Sequence, residues 1–346
     1  MCADTTSTTQ ATILQVAQDA GVSKTSVSRY FSGERYRLSP GMQQRIKASA
    51  TRLGYRPNQM ARSLKGGRSR LIGMVVADIR NPFSIDVMHG AEQACREQGL
   101  SLVVCNTDND PNQERDHLAL LASYRVEGVI INAAGQPSQE LSALANQGTP
   151  LILLDRTLSD YDADIVALDN RQAIDAALDH LQDQGYRDLL YVSEPTSQAS
   201  SRQARLERFQ QQLKARNLLG KWLCLPLGQE AHHLDEAIAA FLAPEADTHA
   251  TKALLCGNGN VTLAVTRSLV RQQVRLGDVG LMGIDELPWA DLIDPGITTL
   301  AQPTDIIGRT AIHSLLQRLQ ARDRDSPPRQ ILYQARLHAR GSTRPG

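Results

Sequence analysis

Aromatic side chains make up only 4% of these 346 residues, which leaves aliphatic residues to build the cores. No apolar run approaches the ~18 residues that a bilayer-spanning helix needs, so a membrane-embedded helical protein is not expected. The first ten residues, MCADTTSTTQ, hold neither the basic nor the apolar stretch of a secretory leader, and a cytoplasmic location is expected. The five cysteines are odd in number, and none forms a C-x-x-C pair. Neither a disulfide framework nor a metal site is therefore expected. Cys105, Cys224 and Cys256 sit in apolar runs, where a buried thiol acts as a small hydrophobe. Enzyme motifs are missing as well: there is no G-x-x-x-x-G-K-[ST], no G-x-S-x-G and no H-E-x-x-H, and His232-His233 lacks matching ligands. GNGNVT (257–262) comes nearest to a nucleotide-binding loop, but Thr262 fills the slot of the third glycine. No cofactor and no catalytic residue is expected.

The balanced charge of the chain conceals an asymmetry. Residues 1–70 hold twelve Lys and Arg against three acids; with 37 of each sign in the whole chain, 25 bases and 34 acids remain for the rest. A small basic end on an acidic body is the pattern of a polyanion-binding module attached to another domain.

Within the basic end, Thr12 and Gln15 form a T-x-x-Q capping box, followed by Ile13, Val16, Ala17 and Ala20 at helical spacing and a stop at Gly21. Ser23 caps a second helix whose inward face is Val27, Tyr30 and Phe31. Ser39-Pro40 opens a third, with Met42, Ile46, Ala50 and Leu53 inward. This is the helix-turn-helix plan, in which the second helix enters the DNA major groove. Lys24, Thr25, Ser28 and Arg29 face outward there, with Ser26 nearby: hydroxyls suited to phosphates and long donors suited to base edges. A small polar three-helix domain that touches only protein is the alternative. The next segment, RPNQMARSLKGG, can start a helix at Pro57-Asn58 but meets Gly66-Gly67 after about two turns, too short to be stable alone. It reads as a hinge that folds when supported, or as an ordinary linker.

From Leu71 the chain alternates apolar runs with helical patterns. LIGMVVA, LSLVVCN, VEGVIIN and PLILLD read as strands, with helices near 84–98, 113–124 and 137–147; LLYVS, LCLPL, ALLCG and VGLMGI repeat the pattern after Asp169. The fold class expected is α/β, two doubly wound parallel sheets in series behind the three-helix head. Ligands bind beyond the carboxyl ends of such strands. That rule nominates Asp78, Arg80, Asn81, Phe83, Asn106, Asp155 and Arg156 from the first sheet, and Ser193, Asn258 and Asp285 from the second. Carboxylates, amides and guanidiniums suit a polyhydroxylated ligand. The same residue types also cap helices, and both readings stand.

ATILQVAQDAGVSKTSVSRYFSG, with RIKASATRLGYRPNQMARSLKGGRSRLIGMVV after it, resembles the start of the LacI/GalR family of transcription factors, and the resemblance runs from Ala11 to about Arg340. It implies a periplasmic-binding-protein-like body, specificity residues at Lys24 and Thr25, an Arg29 of the V-S-R signature and a phosphate contact at Ser23; Ser26 stands where threonine is usual. It further implies hinge helices that pair in the minor groove, Leu64 wedging a base step. Thr12, Ser26, Ser28, Asn58 and Ala61 complete the expected DNA contacts. NPF (81–83), LLDR (153–156), SSRQARLERF (200–209), CGN (256–258), GIDE (283–286) and TTLAQP (298–303) fall at effector-site motifs, which adds Arg202, Arg205 and Gln302. Two departures, Gly259 where aspartate is common and Arg208 where glycine is usual, imply a more basic cleft and an anionic ligand. GIDELPWADLIDPGITTLAQPTDIIGRTA (283–311) resembles the branch that governs gluconate and ketogluconate use, with Trp289 near the pocket or in plain packing.

The expected domains are 1–56 (helix-turn-helix), 57–70 (hinge), 71–169 with 301–328 (first core subdomain), 170–300 with 329–340 (second) and a tail at 341–346. The expected function is that of a homodimeric regulator, a repressor binding double-stranded, pseudo-palindromic operator DNA. A small sugar acid such as 2-ketogluconate or gluconate would release it. A neutral sugar or a nucleobase is the alternative effector. A sugar-binding protein would lack the basic head. ARGSTRPG shows no leucine heptads, which favours a dimer over a tetramer.

Overall fold

The computed structural model describes residues 11–56, 68–133, 139–158, 161–197, 199–228, 231–244, 251–320 and 326–344. The chain separates into two units, Met1–Ser69 and Arg70–Gly346.

The head contains α1 (Ile13–Asp19), α2 (Lys24–Phe31) and α3 (Pro40–Arg52), with a 3₁₀ turn at Arg35–Arg37. The capping box closes as the sequence requires: Gln15 N donates to Thr12 Oγ1 at 3.3 Å and Thr12 N to Gln15 Oε1 at 2.8 Å. Ser23 Oγ accepts from Ser26 N at 3.1 Å to start α2, and Ser39 Oγ accepts from Met42 N at 3.4 Å to start α3. Gly21, at φ +61°, makes the left-handed turn that lets α2 cross α1. Val16, Val27 and Ile46, one from each helix, are fully buried at the centre. Such side chains supply ~1.5–3 kcal/mol each, and they hold a domain this small together. Tyr30 packs edge-on against Phe31 with ring centroids 5.1 Å apart, and the Arg35 guanidinium lies over Tyr30 at 4.4 Å. The expected hinge contacts at Asn58, Ala61 and Leu64 lie outside the described residues.

The body holds two six-stranded sheets among the described residues. In the first, β1 (Leu71–Val76), β2 (Ser101–Asn106), β3 (Gly128–Ile131), β4 (Leu151–Leu154), β5 (Asp164–Leu168) and β11 (Gln330–Tyr333) lie in the order β11-β5-β4-β3-β1-β2, all pairs parallel. In the second, β6 (Asp188–Ser193), β7 (Leu219–Cys224), β8 (Lys252–Cys256), β9 (Gly280–Ile284), β10 (Thr298–Ala301) and β12 (Arg336–His338) lie in the order β12-β10-β9-β8-β6-β7; only β12 runs antiparallel. β3, β4 and β5 are buried at every residue, as parallel strands covered on both faces must be.

The helices are α4 (Pro82–Glu97), α5 (Pro111–Ser123), α6 (Gln139–Asn146), α7 (Asn170–Asp183), α8 (Ser200–Ala215), α9 (Ala231–Leu242), α10 (Gly259–Arg271) and α11 (Thr304–Gln320). α4 and α11 pack closely because each offers a glycine. A Cβ on Gly90 would overlap the Asp305 carbonyl, and one on Gly308 would overlap that of Val87.

The chain passes between the sheets three times, after β5, after β10 and after β11. This moves two expected boundaries. Residues 330–333, expected in the second subdomain with the rest of 329–340, pair with β5 in the first. The expected tail at 341 is instead a 3₁₀ turn, Gly341–Thr343, tied to the second sheet through Ser342 Oγ, which accepts from Thr298 N at 2.8 Å and donates to Leu281 O at 2.6 Å. Where the crossings converge on the first sheet, Asp164 opens β5 with its carboxylate 3% exposed. It receives Arg318 Nε at 3.0 Å and Nη2 at 2.6 Å, and Arg329 N at 2.9 Å and Nη2 at 2.6 Å. Burial alone would raise this carboxyl; the two guanidiniums outweigh it and hold it down at about 2.

Candidate functional site

On the head, α2 divides its faces as its spacing predicts. Val27 and Tyr30 are buried; Lys24, Thr25 and Ser28 are exposed, and Ser26 and Arg29 are half-buried. The Ser23 and Ser26 hydroxyls lie 3.0 Å apart at the start of the helix, so both are partly engaged locally. Glu34 stands 4.0 Å from Arg29 and 3.4 Å from Arg37, an exposed arrangement that water screens. Thr12 is exposed but used in its capping box. The outcome is a helix start, with its positive dipole end, flanked by Lys24 and Thr25: a surface suited to phosphates and base edges.

In the body, the carboxyl ends of both sheets open on one cleft. Ten of the thirteen nominated residues line it: Asp78, Asn81, Phe83, Asp155, Arg156, Arg202, Arg205, Asn258, Asp285 and Gln302. Arg80 and Asn106 are not in the lining, and neither is Ser193. It is 1% exposed and lies behind Gly257, where an added Cβ would come within 3.2 Å of its hydroxyl and 2.7 Å of that of Tyr191. Asn106, another strand-end nominee, braces the neighbouring loop by accepting from Ile79 N at 2.8 Å.

Each lining side chain is fixed by a local cause. Asn81 caps α4, its Oδ1 accepting from Phe83 N at 3.1 Å. Asn258 caps α10 in the same way, accepting from Val261 N at 2.9 Å, which leaves its Nδ2 aimed into the cleft. Capping and lining are thus combined in one residue. Arg156, 6% exposed, donates from Nη1 to Asn109 Oδ1 and Ala133 O, both at 3.0 Å; burial pushes its guanidinium down to about 10 against the pull of the adjacent Asp155 carboxylate. Arg205, 4% exposed, donates to Asn170 Oδ1 at 2.6 Å and Gly257 O at 2.7 Å. Asp285 accepts from Gly259 N at 2.9 Å and Gln302 Nε2 at 2.6 Å. Burial raises its carboxyl, with Arg205 opposing. The GNG turn that looked like a nucleotide loop therefore serves to bring a bare backbone N–H to Asp285. Two bonds join the walls: Ser201 Oγ to Asp155 Oδ2 and Thr157 N to Ser200 Oγ, each 2.8 Å.

The structure corrects the expected charge of this cleft. Arg208 points away from it and forks onto Asp175 of α7. Glu194, directly after β6, was missed by the sequence reading; it lines the cleft and accepts from Arg202 Nη2 at 2.7 Å. With Asp78, Asp155 and Asp285 the lining carboxylates number four, against three guanidiniums. Trp289 lies apart from the cleft, beside Leu263, Val270 and Ile293 in a shallow apolar recess of the second subdomain. Cys224, expected to be buried, is exposed. Among the described residues no group of three or more His, Cys, Asp or Glu could hold a metal ion, and no helix is long and apolar enough to cross a membrane.

Comparison with known proteins matches residues 12–58 to the model for bacterial regulatory proteins of the lacI family, and residues 69–340 to that for periplasmic binding proteins and the sugar binding domain of the LacI family. The HTH-type transcriptional regulator PtxS of Pseudomonas aeruginosa is 51% identical over 96% of both chains. The HTH-type transcriptional regulator KdgR of Bacillus subtilis is 39% identical over 91% of this chain and 93% of its own. Among solved structures, the Lac repressor dimer bound to operator and the anti-inducer ONPF superposes with a TM-score of 0.82 over 97% of this chain and 99% of that one, at 22% identity.

Proposed function

Because the chain belongs to the LacI family of transcriptional regulators, we propose that it is a repressor that grips a pseudo-palindromic operator as a homodimer and lets go when a sugar acid enters the cleft. It is a DNA-binding regulator and not an enzyme. The observation that carries the effector reading is the convergence of Arg156, Arg202 and Arg205 on one cleft that also presents Asp78, Asn81, Asn258 and Asp285. Guanidiniums fork onto a carboxylate, while carboxylates and amides accept and donate to the hydroxyls along a carbon chain. The likeness of residues 283–311 to the gluconate and ketogluconate branch supports 2-ketogluconate or gluconate as the effector. The excess of lining carboxylates favours a second reading, a neutral sugar.

Lys24 and Thr25 read bases in this account, with Ser23, Ser26, Ser28, Arg29 and Thr12 on the backbone and Asn58, Ala61 and Leu64 acting in the minor groove. The apolar recess of Leu263, Val270, Trp289 and Ile293, with Val270 67% exposed, supports a dimer contact on the second subdomain. Effector drawing the cleft walls together changes how the two first subdomains of the dimer meet, which separates the hinges and weakens DNA binding. Operator must then weaken effector binding by the same factor. Fluorescence anisotropy of labelled operator, titrated with 2-ketogluconate, gluconate, glucose, ribose and hypoxanthine, tests this. Release by the acids alone is expected; release only by a neutral compound, or by none, refutes the sugar-acid reading.

A further inference from the structure

The cleft is nearly full of its own side chains. The lining leaves about 40 Å³, far below the ~300–1,000 Å³ of sites that hold drug-sized ligands. An occupant must therefore displace something, and the hydrogen bonds say what. Arg156 Nη1 and Arg205 donate to amide side chains and backbone carbonyls. Arg202 differs, because its Nη2 meets the Glu194 carboxylate at 2.7 Å, with Nη1 on Pro195 O at 3.3 Å. The same Glu194 Oε2 also takes Asn258 Nδ2 at 2.6 Å. One internal carboxylate thus occupies the cleft-facing donors of two nominated effector residues.

The other lining carboxylates have further anchors. Asp285 is held by Gly259 N and Gln302, Asp155 by Ser201, and Asp78 by Arg80 N at 2.9 Å. Glu194 stands on the loop between β6 and α8, and its two bonds both run to cleft donors. Unlike Asp155 and Asp285 it can leave without breaking a wall contact or a helix-start contact, and unlike Asp78 it occupies cleft donors.

We propose that Glu194 is a built-in stand-in for the effector's carboxylate, which an anionic ligand displaces from Arg202 and Asn258. The proposal rests on the reading of the cleft as an anion-accepting effector site. Glu194 then sets a threshold for occupancy. An acid recovers the pairing with Arg202 that it displaces, replacing one carboxylate by another, whereas a neutral sugar does not. With Glu194 the lining carries one more carboxylate than guanidinium; without it the two are equal in number.

The test is Glu194→Gln, which keeps the shape and removes the charge. 2-Ketogluconate, inorganic sulfate and neutral fructose are titrated calorimetrically into the full-length wild type, E194Q and the E194Q/R202Q double variant. Expected is about tenfold tighter binding of both anions by E194Q, about 1.4 kcal/mol, with a smaller gain for fructose, which meets no repulsion from the displaced carboxylate, and the anion gain abolished in the double variant. Weaker anion binding by E194Q would overturn the proposal, since Glu194 would then position Arg202 or contact ligand itself. No gain for either anion would overturn it too. If 2-ketogluconate binds neither protein while sulfate still gains tenfold, the sugar-acid reading falls and the stand-in remains. If 2-ketogluconate binds wild type and E194Q equally, the reverse holds.

Discussion

Replacing Asp164 by asparagine removes one negative charge from a nearly water-free position where α11, β5 and the start of β11 meet. Wild-type Asp164 is held at about 2 in the folded chain, against 3.8 when free of the fold. That gap is worth about 2.4 kcal/mol near neutral pH, at ~1.36 kcal/mol per unit. Because the folded value is the lower one, the contribution is fully present well above 3.8 and is lost as pH falls through the folded value. Little of it goes above about pH 5, and roughly half is gone by about pH 3. The carboxamide introduced there still accepts a hydrogen bond but leaves Arg318 and Arg329 without their counter-charge, so the loss at pH 7 should be at least about 2 kcal/mol. Urea unfolding of wild type and variant, followed by circular dichroism at pH 7, 5 and 3, measures it. The expected difference is similar at pH 7 and 5 and about halved at pH 3. A difference below about 0.5 kcal/mol at pH 7, or one that does not shrink on acidification, would show that the paired guanidiniums do not stabilise the fold as argued.

Lys24→Ala should change which operator sequences are preferred in a binding-site selection, whereas loss of a phosphate-contacting cation would weaken all sequences alike. Ser23→Ala removes the hydroxyl that caps α2 and should cost the head about 1 kcal/mol, read as faster hydrogen exchange of the α2 amides. Gly308→Ala places a methyl group against the Val87 carbonyl and the Ala91 amide. It should lower stability by about 1–3 kcal/mol on thermal unfolding, where alanine at an open helical site would raise it.

The head was legible because its signals are local. Thr12, Ser23 and Ser39 cap helices within three residues of themselves, and Val16, Val27 and Ile46 follow a helical period. The central strands were legible as unbroken apolar runs. What was missed lies at edges and at crossings. β7 is an edge strand, LGKWLC, whose Lys221 and Trp222 are exposed, and the reading slid to the more apolar LCLPL. β11 and β12 are short, and half of their residues or more face outward, so period and hydrophobicity fail together. The strand-end rule found most of the cleft. It did not find that Arg208 is drawn off by Asp175, 33 positions earlier, or that Glu194 turns inward to Asn258, 64 positions later, because neither partner is near in sequence.

The three passages of the chain between the sheets have a consequence for synthesis from the amino terminus. The first sheet cannot be completed when β1 to β5 have emerged, because its edge strand β11 is encoded after the whole of β6 to β10. α11, whose Gly308 seats against α4, arrives equally late. A nascent chain therefore carries an exposed flank of β5 and an uncovered α4 through roughly half of its translation. The last fifteen described residues, 330–344, supply an edge strand to each sheet. Ending the chain before Gln330 would open both halves at once, so the integrity of the regulatory body is decided by its final few strands.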